Sequence, residues 1–357
     1  MTRQRPTAGF TLVEVMVASG IVVVIMGVLL AMTDQTQRLV KSTSSKIEQF
    51  QDARVGFESM TRRLSQATLN AFWDYEVAPG GGSPTSYQRS AELRFRSGQM
   101  KFLNPDGGPD GNIQPGHGVF FQAPNGLVGD QNKLGSLDHL LNTWGYFVEI
   151  GSDSASLPPF LAGKVQARKR FRLMEFMEPS EQMAVYNFQQ AGNTAWFAKA
   201  IRTSVRPVRV LSENIVAMVV MPRLSLADEE QWKKLNSGTP FLVNDVNYSY
   251  DSSDSGKYKS DPVRNTKNQL PPVVQVVMVA IDETSARQLE DRNGSDPYLG
   301  ISYEALFNNP TLLQDIGRKP GDLSNFENTL TKNKVSYRTF STNVTIRGAK
   351  WSRSQTD

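Results

Sequence analysis

An apolar segment close to the amino terminus constrains this 357-residue chain more than any other feature. Between Phe10 and Met32 the only charged residue is Glu14, and positions 15–32 carry no charge. About 20 helical residues, rising 1.5 Å each, span the hydrocarbon core of a bilayer. The segment therefore predicts a membrane-spanning helix at 10–32.

Three interpretations of this segment compete: a membrane helix, a secretory signal peptide and the core helix of a soluble domain. A signal peptide has a shorter apolar region of about 7–15 residues, followed by small residues at its cleavage site. Here the small residues Ala8 and Gly9 precede the apolar run. A soluble domain does not need an uninterrupted apolar run of this length. We therefore predict a single-pass membrane helix. Arg3 and Arg5 support a cytoplasmic amino terminus only modestly, because Arg38, Lys41 and Lys46 flank the other side.

The sequence GFTLVEVMVA at positions 9–18 resembles the processing motif of type IV prepilins and type II secretion pseudopilins. The resemblance implies that a membrane aspartyl peptidase, the prepilin peptidase, cleaves between Gly9 and Phe10 and N-methylates Phe10. Residues 1–9 would then be a leader peptide. The chain departs from the family pattern at Ala8, because a basic residue often precedes the glycine.

Glu14 would be the fifth residue of the processed chain, and an unpaired carboxylate in a bilayer costs about 3 kcal/mol. Cleavage would create a cationic amine at Phe10. The amine of one subunit and the carboxylate of its neighbour can neutralise each other in a low dielectric. The resemblance therefore implies an assembly role for Glu14, in which the pair fixes the axial offset between subunits. The alternative is a carboxyl group without a role.

The helix is predicted to continue beyond the apolar run, because no proline lies between Pro6 and Pro79. Apolar residues recur there at helical spacing and form one stripe: Ile47, Phe50, Ala53, Phe57, Met60, Leu64 and Ala67. We predict a helix from about residue 10 to residue 70 and assign 33–78 to its extramembrane continuation. The stripe covers only about three heptads, so it favours packing on a sheet of the same chain over a coiled coil.

Residues 79–357 are assigned to a β-rich head domain. The sequence PGGGSP at 79–84 indicates a flexible break. Runs of β-branched and aromatic residues predict strands at 92–97, 118–122, 146–150, 170–176, 209–221, 273–281 and 334–347. Short helices are predicted at 179–187, 283–292 and 303–307. A long helix packed on such a sheet is an α+β fold with loop insertions.

Composition excludes several classes of active site. The chain has no cysteine, which removes thiol nucleophiles, disulfides and sulfur-bound metals. Its two histidines, His117 and His139, leave little material for a histidine-based triad or metal site. No phosphate loop, nucleophile elbow or paired-histidine motif is present. We therefore predict a protein that is not an enzyme.

Two polar loops carry the oxygen ligands that calcium prefers. The first contains Asp106 and Asp110, and the second contains Asp251 and Asp254. Neither loop has EF-hand spacing, and Asp, Asn, Gly and Ser are also ordinary turn residues. Calcium binding and solvated turns both remain open, and we take solvated turns as the default.

Basic residues cluster at 168–170 and at Arg202, Arg206 and Arg209. Binding of nucleic acid would need these side chains on one surface with exposed aromatic rings. Protection of edge strands by charge is the simpler interpretation. The chain holds 39 basic and 35 acidic residues, so the overall charge does not demand a nucleic-acid partner.

The resemblance extends beyond the amino terminus. Residues 57–67 and 270–278 are similar to the helix-to-head passage and a late strand of J-type minor pseudopilins. The chain resembles Verru_Chthon cassette protein C, a prepilin-like family without an assigned activity, still more closely. Four segments carry that resemblance: 60–75, 171–186, 268–283 and 337–351.

These observations together predict a minor, tip or low-copy subunit of a type IV pilus or a type II secretion-like filament. Its expected partners are the prepilin peptidase, other prepilin-like subunits and the bacterial inner membrane, with the head in the periplasm. The alternative is a membrane-tethered periplasmic binding protein that does not assemble. A DNA-uptake pilin that uses the basic clusters is a further alternative.

Overall fold

The chain divides into two compact units, residues 1–49 and residues 50–357, and we refer to the second unit as the body. The computed structural model describes residues 11–77, 80–124, 126–134, 140–152, 160, 164–165, 167–203, 205–235, 248–254, 265–293, 306–315, 317 and 319–350. The fold is mixed α and β, with an apolar amino-terminal helix and a sheet-rich body.

The first element, α1 (Leu12–Leu64), is one uninterrupted helix of 53 residues. The prediction that it would run to about residue 70 is wrong. Past Leu64 the chain tightens, because the amides of Gln66 and Ala67 bond the carbonyls three residues earlier. The Thr68 amide then donates to the carbonyl of Gln122, which draws the backbone out of the helical path. The predicted continuation at 33–78 therefore ends in a turn and a strand.

The body-facing part of α1 follows the predicted stripe. Ala53, Phe57, Met60 and Leu64 are all buried in the main core, and Phe50 packs against that core. Apolar side chains on one helical face therefore pack within the chain, as the spacing predicts.

The body contains eleven described strands. Their bounds are β1 (Phe72–Val77), β2 (Pro84–Ser90), β3 (Arg96–Gln99), β4 (His117–Ala123), β5 (Asn142–Ser152), β6 (Lys169–Glu178), β7 (Val208–Glu213), β8 (Ile215–Arg223), β9 (Tyr250–Asp251), β10 (Val273–Ile281) and β11 (Tyr337–Thr345). A six-stranded sheet has the order β7-β6-β5-β4-β3-β9, a three-stranded sheet has the order β11-β10-β8, and β1 pairs with β2 alone. Each pairing is antiparallel.

The remaining described helices are short. They are α2 (Met100–Leu103), α3 (Gln131–Leu134), α4 (Ala195–Arg202), α5 (Leu226–Leu235), α6 (Glu283–Asn293) and α7 (Asp322–Lys332). The predicted helix at 283–292 is confirmed by α6. The one predicted at 179–187 is a pair of 3₁₀ turns. Most of the one predicted at 303–307 lies outside the described residues.

Most of the predicted strands are present, although the strand predicted at 92–97 overlaps β3 only at residues 96 and 97. Predictions at 118–122, 146–150, 170–176 and 273–281 are confirmed by β4, β5, β6 and β10, and the one at 334–347 contains β11. The single strand predicted at 209–221 is wrong. Asn214 adopts a φ of 59°, which breaks the run into β7 and β8 in different sheets.

The flexible break predicted at 79–84 falls between two paired strands. The described glycines at 80–82 all have positive φ and connect β1 to β2, and Pro84 opens β2. Residues 80–83 therefore lie in the turn of a hairpin, in which glycine accepts a positive φ at no steric cost.

The core is rich in aromatic rings. Phe120 of β4 stacks on Phe197 of α4, with ring centroids 3.8 Å apart and an interplanar angle of 8°. Gly145 of β5 allows this arrangement, because a Cβ there would lie 2.3 Å from the Phe120 ring. Strand β8 contacts β4, β5 and β6, so the three-stranded sheet packs on the six-stranded sheet.

Candidate functional site

The amino terminus of α1 is held by a reciprocal pair of polar contacts. The carboxylate of Glu14 accepts hydrogen bonds from the Thr11 amide at 2.9 Å and from the Thr11 hydroxyl at 3.0 Å. The Thr11 hydroxyl in turn accepts from the Glu14 amide at 3.3 Å. This is a capping box, and it satisfies two amides that lack partners within the helix. The spacing Thr-x-x-Glu at 11–14 is the sequence signal of this cap.

Gly9 and Phe10 lie outside the described residues, so the cleavage between them stays a prediction. What the structure adds is the starting point of the helix. It begins at Leu12, two residues after Phe10, with Glu14 in its first turn.

The segment Leu12–Gln37 is long and apolar enough to cross a membrane, which suggests membrane anchoring. None of its most apolar stretch is buried by the described chain. Leu12 is 77% exposed and Val23 is 70% exposed. An apolar surface of this extent needs lipid or protein to cover it.

The last turn of α1 is joined to the sheet by a buried ionic cluster. Arg63 contacts Glu175 of β6, whose side chain is fully buried. The same carboxylate accepts from Arg209 of β7 at 2.6 Å and from the Tyr146 hydroxyl at 3.2 Å. The Arg63 guanidinium also lies 4.3 Å from the ring of Trp144. Burial, with a smaller contribution from the Glu175 charge, raises the pKa of the Tyr146 phenol, so this hydroxyl is a hydrogen-bond donor.

A second buried carboxylate, Glu149 of β5, is paired in the same manner. Arg206 binds it through two nitrogens at 2.5 and 2.6 Å. The side-chain amides of Asn112 and Gln114 donate to it at 3.0 and 3.1 Å. Full satisfaction by fixed donors is typical of a structural carboxylate and leaves no free oxygen for catalysis.

The acidic loops proposed for calcium are engaged with arginines. Asp106 pairs with Arg202, and Asp251 pairs with Arg96. Asp251 also accepts from the amide and hydroxyl of Ser253 at 2.8 and 2.7 Å, which is an Asx turn.

The two other calcium candidates are Asp254 and Asp110. The backbone carbonyl of Asp254 accepts from Thr266 at 2.8 Å, and the Asp110 side chain lies outside the described residues. Across the described part of the chain, no three acidic or histidine side chains gather to hold a metal. Asp106 and Asp251 thus lie in turns paired with arginine, and with only 12% of its side chain exposed Asp251 is not in the solvated turn expected.

The basic clusters are also paired with acids. Arg168 contacts Glu290 at 3.8 Å, and Arg170 contacts Glu283 at 2.5 Å. Arg202, Arg206 and Arg209 contact Asp106, Glu149 and Glu175. Arginines whose charge is already neutralised attract phosphate weakly, so the clusters do not favour nucleic-acid binding.

His117 is buried in the core. Its Nδ1 accepts from the Val220 amide at 3.1 Å, and its Nε2 lies 3.1 Å from the carbonyl of Phe307. Burial lowers its pKa to about 4, so the ring is neutral at pH 7 and donates through Nε2. His139 lies outside the described residues.

Comparison with known proteins returned no match to a family model, a curated protein or a solved structure. The feature that most needs a functional explanation is α1, whose apolar segment Leu12–Gln37 is uncovered and whose residues Ala53, Phe57, Met60 and Leu64 pack in the core.

Proposed function

We propose that this protein is a prepilin-like structural subunit of a type IV pilus or a type II secretion-like filament, processed by a prepilin peptidase between Gly9 and Phe10. One observation carries the proposal. A single helix, Leu12–Leu64, begins two residues after the proposed mature terminus, and its apolar half is uncovered. A subunit that leaves the membrane for a filament needs such a helix in both environments.

The apolar half would lie in lipid before assembly and against neighbouring helices afterwards. The free amine at Phe10 and the Glu14 carboxylate would pair between subunits in that low dielectric. The capping box supports this arrangement, because it orders the first helical turn around Glu14. The body would face the periplasm, with the protein in the inner membrane and then in a periplasmic or surface filament.

A minor role fits the size of the body. Residues 50–357 form one compact unit. A body this large on every subunit would crowd a closely repeating shaft, whereas a tip or low-copy position leaves it room.

Processing gives the first prediction. When the full chain is made together with an active prepilin peptidase, intact-mass spectrometry should show loss of residues 1–9 and one added methyl group at Phe10. Gly9→Val should abolish cleavage. Gly20→Val is the matched control, because a Cβ at Gly20 meets nothing within 4 Å. An uncleaved chain beside a correctly processed reference prepilin would refute the processing claim.

Assembly gives the second prediction. Glu14→Ala and Glu14→Gln should both be cleaved normally, yet their incorporation into sheared filaments should fall at least about tenfold, because an unpaired amine is left in low dielectric. Glutamine at this position preserves the capping box but removes the charge. Normal incorporation of the glutamine variant would show that capping, and not charge pairing, is the role of Glu14.

The alternative is a membrane-tethered periplasmic binding protein that does not assemble. The observation in its favour is a cavity of about 250 Å³ at the base of the β1–β2 hairpin. Cleaved protein that never enters a filament, for wild type and both Glu14 variants alike, would support this alternative.

A further inference from the structure

The β1–β2 hairpin presents an aromatic face to solvent. Its strands pair with each other and with no other described strand. Alternation along β1 places Trp73, Tyr75 and Val77 on one face, and cross-strand pairing adds Tyr87 and Arg89 from β2. Trp73 is 47% exposed, Tyr75 is 55% exposed and Tyr87 is 58% exposed. Three large rings on one side of an isolated hairpin form a surface that the core does not use.

The rings are held in place although they are not buried. Tyr75 lies opposite Tyr87, with ring centroids 4.8 Å apart. Trp73 lies opposite Arg89, whose guanidinium carbon is 5.7 Å from the indole centroid. Such cross-strand aromatic and cation–π pairs fix ring orientation, so the face is preorganised for a ligand.

The aromatic face leads into the cavity at the base of the hairpin. This cavity has a volume of about 250 Å³. Its polar and aromatic lining residues are Thr68, Asn70, Phe72, Trp73, Arg89, Asn268, Gln269 and Lys350. Two cations, amide side chains and aromatic rings therefore surround one space, and no carboxylate is among the residues that line it.

Arg89 differs from the paired arginines of the body. Its Nη1 donates to the backbone carbonyl of Lys350 at 2.9 Å, and its own carbonyl accepts from the Asn268 side chain. Within the described residues no carboxylate lies within 4 Å of it, whereas Arg63, Arg170 and Arg206 each have one. A guanidinium has five N–H donors, so Arg89 keeps both its charge and spare donors for a ligand.

We propose that this hairpin and its cavity bind an acidic oligosaccharide. A pyranose ring has an apolar face that packs on an aromatic side chain, and its hydroxyls suit the amides of Asn70 and Asn268. The carboxylate of a uronic acid would be bound by Arg89 and Lys350 through charge-assisted hydrogen bonds. Tyr75 and Tyr87 would extend the site to further sugar residues along the hairpin. The inference is independent of the proposed filament role.

Single-stranded nucleic acid is the rival occupant, since it also binds aromatic rings and cations. Nucleic-acid grooves follow the phosphate backbone with a series of cations. Here Arg89 and Lys350 are the cations that line the cavity, and the arginines at 168–170 and 202–209 discussed above are paired with acids. The charge pattern therefore favours a ligand with isolated carboxylates.

The test is calorimetric titration of the full-length chain with trigalacturonic acid. The protein is kept in lauryldimethylamine oxide, because a detergent with a sugar headgroup would compete for the site. The fully methyl-esterified trisaccharide is the neutral probe of matched shape, and an oligothymidylate tests the rival. Trp73→Ala and Arg89→Gln alter the site. Arg338→Gln is the matched control, because Arg338 lies 5.7 Å from the Phe340 ring on β11 and not at the cavity.

We expect trigalacturonic acid to bind, and esterification, Trp73→Ala and Arg89→Gln each to weaken binding about tenfold. Arg338→Gln should bind as wild type. The proposal is overturned by any of three results: no binding of the acid, equal binding of the ester, or equal weakening by Arg338→Gln. Tighter binding of oligothymidylate that depends on Trp73 would assign the site to nucleic acid instead. If Trp73→Ala alters the circular dichroism spectrum, Arg89→Gln and the ester decide the outcome.

Discussion

Replacing Glu175 by leucine is expected to lower the free energy of unfolding of the body by about 3 kcal/mol. The fully buried carboxylate is the shared acceptor for Arg63, Arg209 and Tyr146. Its removal leaves Arg63, with only 24% of its side chain exposed, without a counter-charge. The Tyr146 hydroxyl would also lose its acceptor, and an unsatisfied buried donor is costly. The last turn of α1 would therefore lose its ionic attachment to β6.

Urea unfolding followed by tryptophan fluorescence measures this change. All five tryptophans lie in residues 50–357, so the signal reports on the body even when the full chain is in detergent. Glu58→Leu is the matched control. Glu58 is 61% exposed in its pair with Arg54, so its replacement should change stability by no more than about 0.5 kcal/mol. Equal effects of the two variants would contradict a special role for the buried cluster.

A double variant tests whether the loss of stability comes from leaving Arg63 unpaired. Arg63→Met combined with Glu175→Leu removes both charges and fills the space with apolar atoms. Replacing a buried ion pair as a whole is often much less damaging than removing one partner. We expect the double variant to be at least about 1 kcal/mol more stable than Glu175→Leu alone. A strictly additive loss would mean that Arg63 is not stranded by the removal of Glu175.

Local sequence patterns predicted the elements in which the order of apolar residues determines which side chains are buried. The stripe from Ala53 to Leu64 buries its apolar residues at helical spacing, and β10 is a nearly continuous apolar run that is buried along almost its whole length. The strand β1 was missed because its alternation, FWDYEV, directly follows a helical stripe and is only six residues long. The break at Asn214 was missed because a single left-handed residue leaves no periodic signal.

The candidate sites divide in the same way. The residues of the Gly9–Glu14 motif are contiguous. The sequence alone therefore shows the motif and also the Thr11–Glu14 spacing of the cap. Arg63 and Glu175 are 112 positions apart, and no spacing rule joins them. The cavity at the hairpin is assembled from residues near 70, 89, 268 and 350. Only the folded chain brings these segments together, so the site could not be predicted from the sequence.

Glu178 contrasts with the buried carboxylates Glu149 and Glu175. It ends β6 with 5% of its surface exposed, and no cation lies within 4 Å of it among the described residues. Its Oε2 accepts from the Ala184 amide at 3.3 Å. Burial raises its pKa to about 7 from an ordinary value of 4.5. Arginines contact the carboxylates of Glu149 and Glu175, whereas burial favours the protonated form of Glu178 below about pH 7.

The direction of the pH effect follows from that difference. A group whose pKa is higher in the folded state binds its proton more tightly there, so its contribution is complete below about pH 4.5. The contribution is lost as the pH rises through about 7, and by pH 9 the loss is about 3 kcal/mol. Glutamine cannot ionise and can still accept from Ala184. Glu178→Gln should therefore leave stability nearly unchanged at pH 4 and raise it by up to about 3 kcal/mol at pH 9.

Urea unfolding of wild type and Glu178→Gln at several pH values between 4 and 9 measures this difference. Taking the difference between the two proteins cancels the titration of all other groups. Glu181→Gln is the matched control, because Glu181 is exposed three residues further along and accepts only from the Gly129 amide, at 2.7 Å, among described partners. Its replacement should change stability by no more than about 0.5 kcal/mol at either extreme. A stability difference for Glu178→Gln that stays constant across the range would mean that Glu178 ionises at the same pH in the folded and unfolded chain. Burial would then not control its proton, and the absence of a cation beside it would have no energetic consequence.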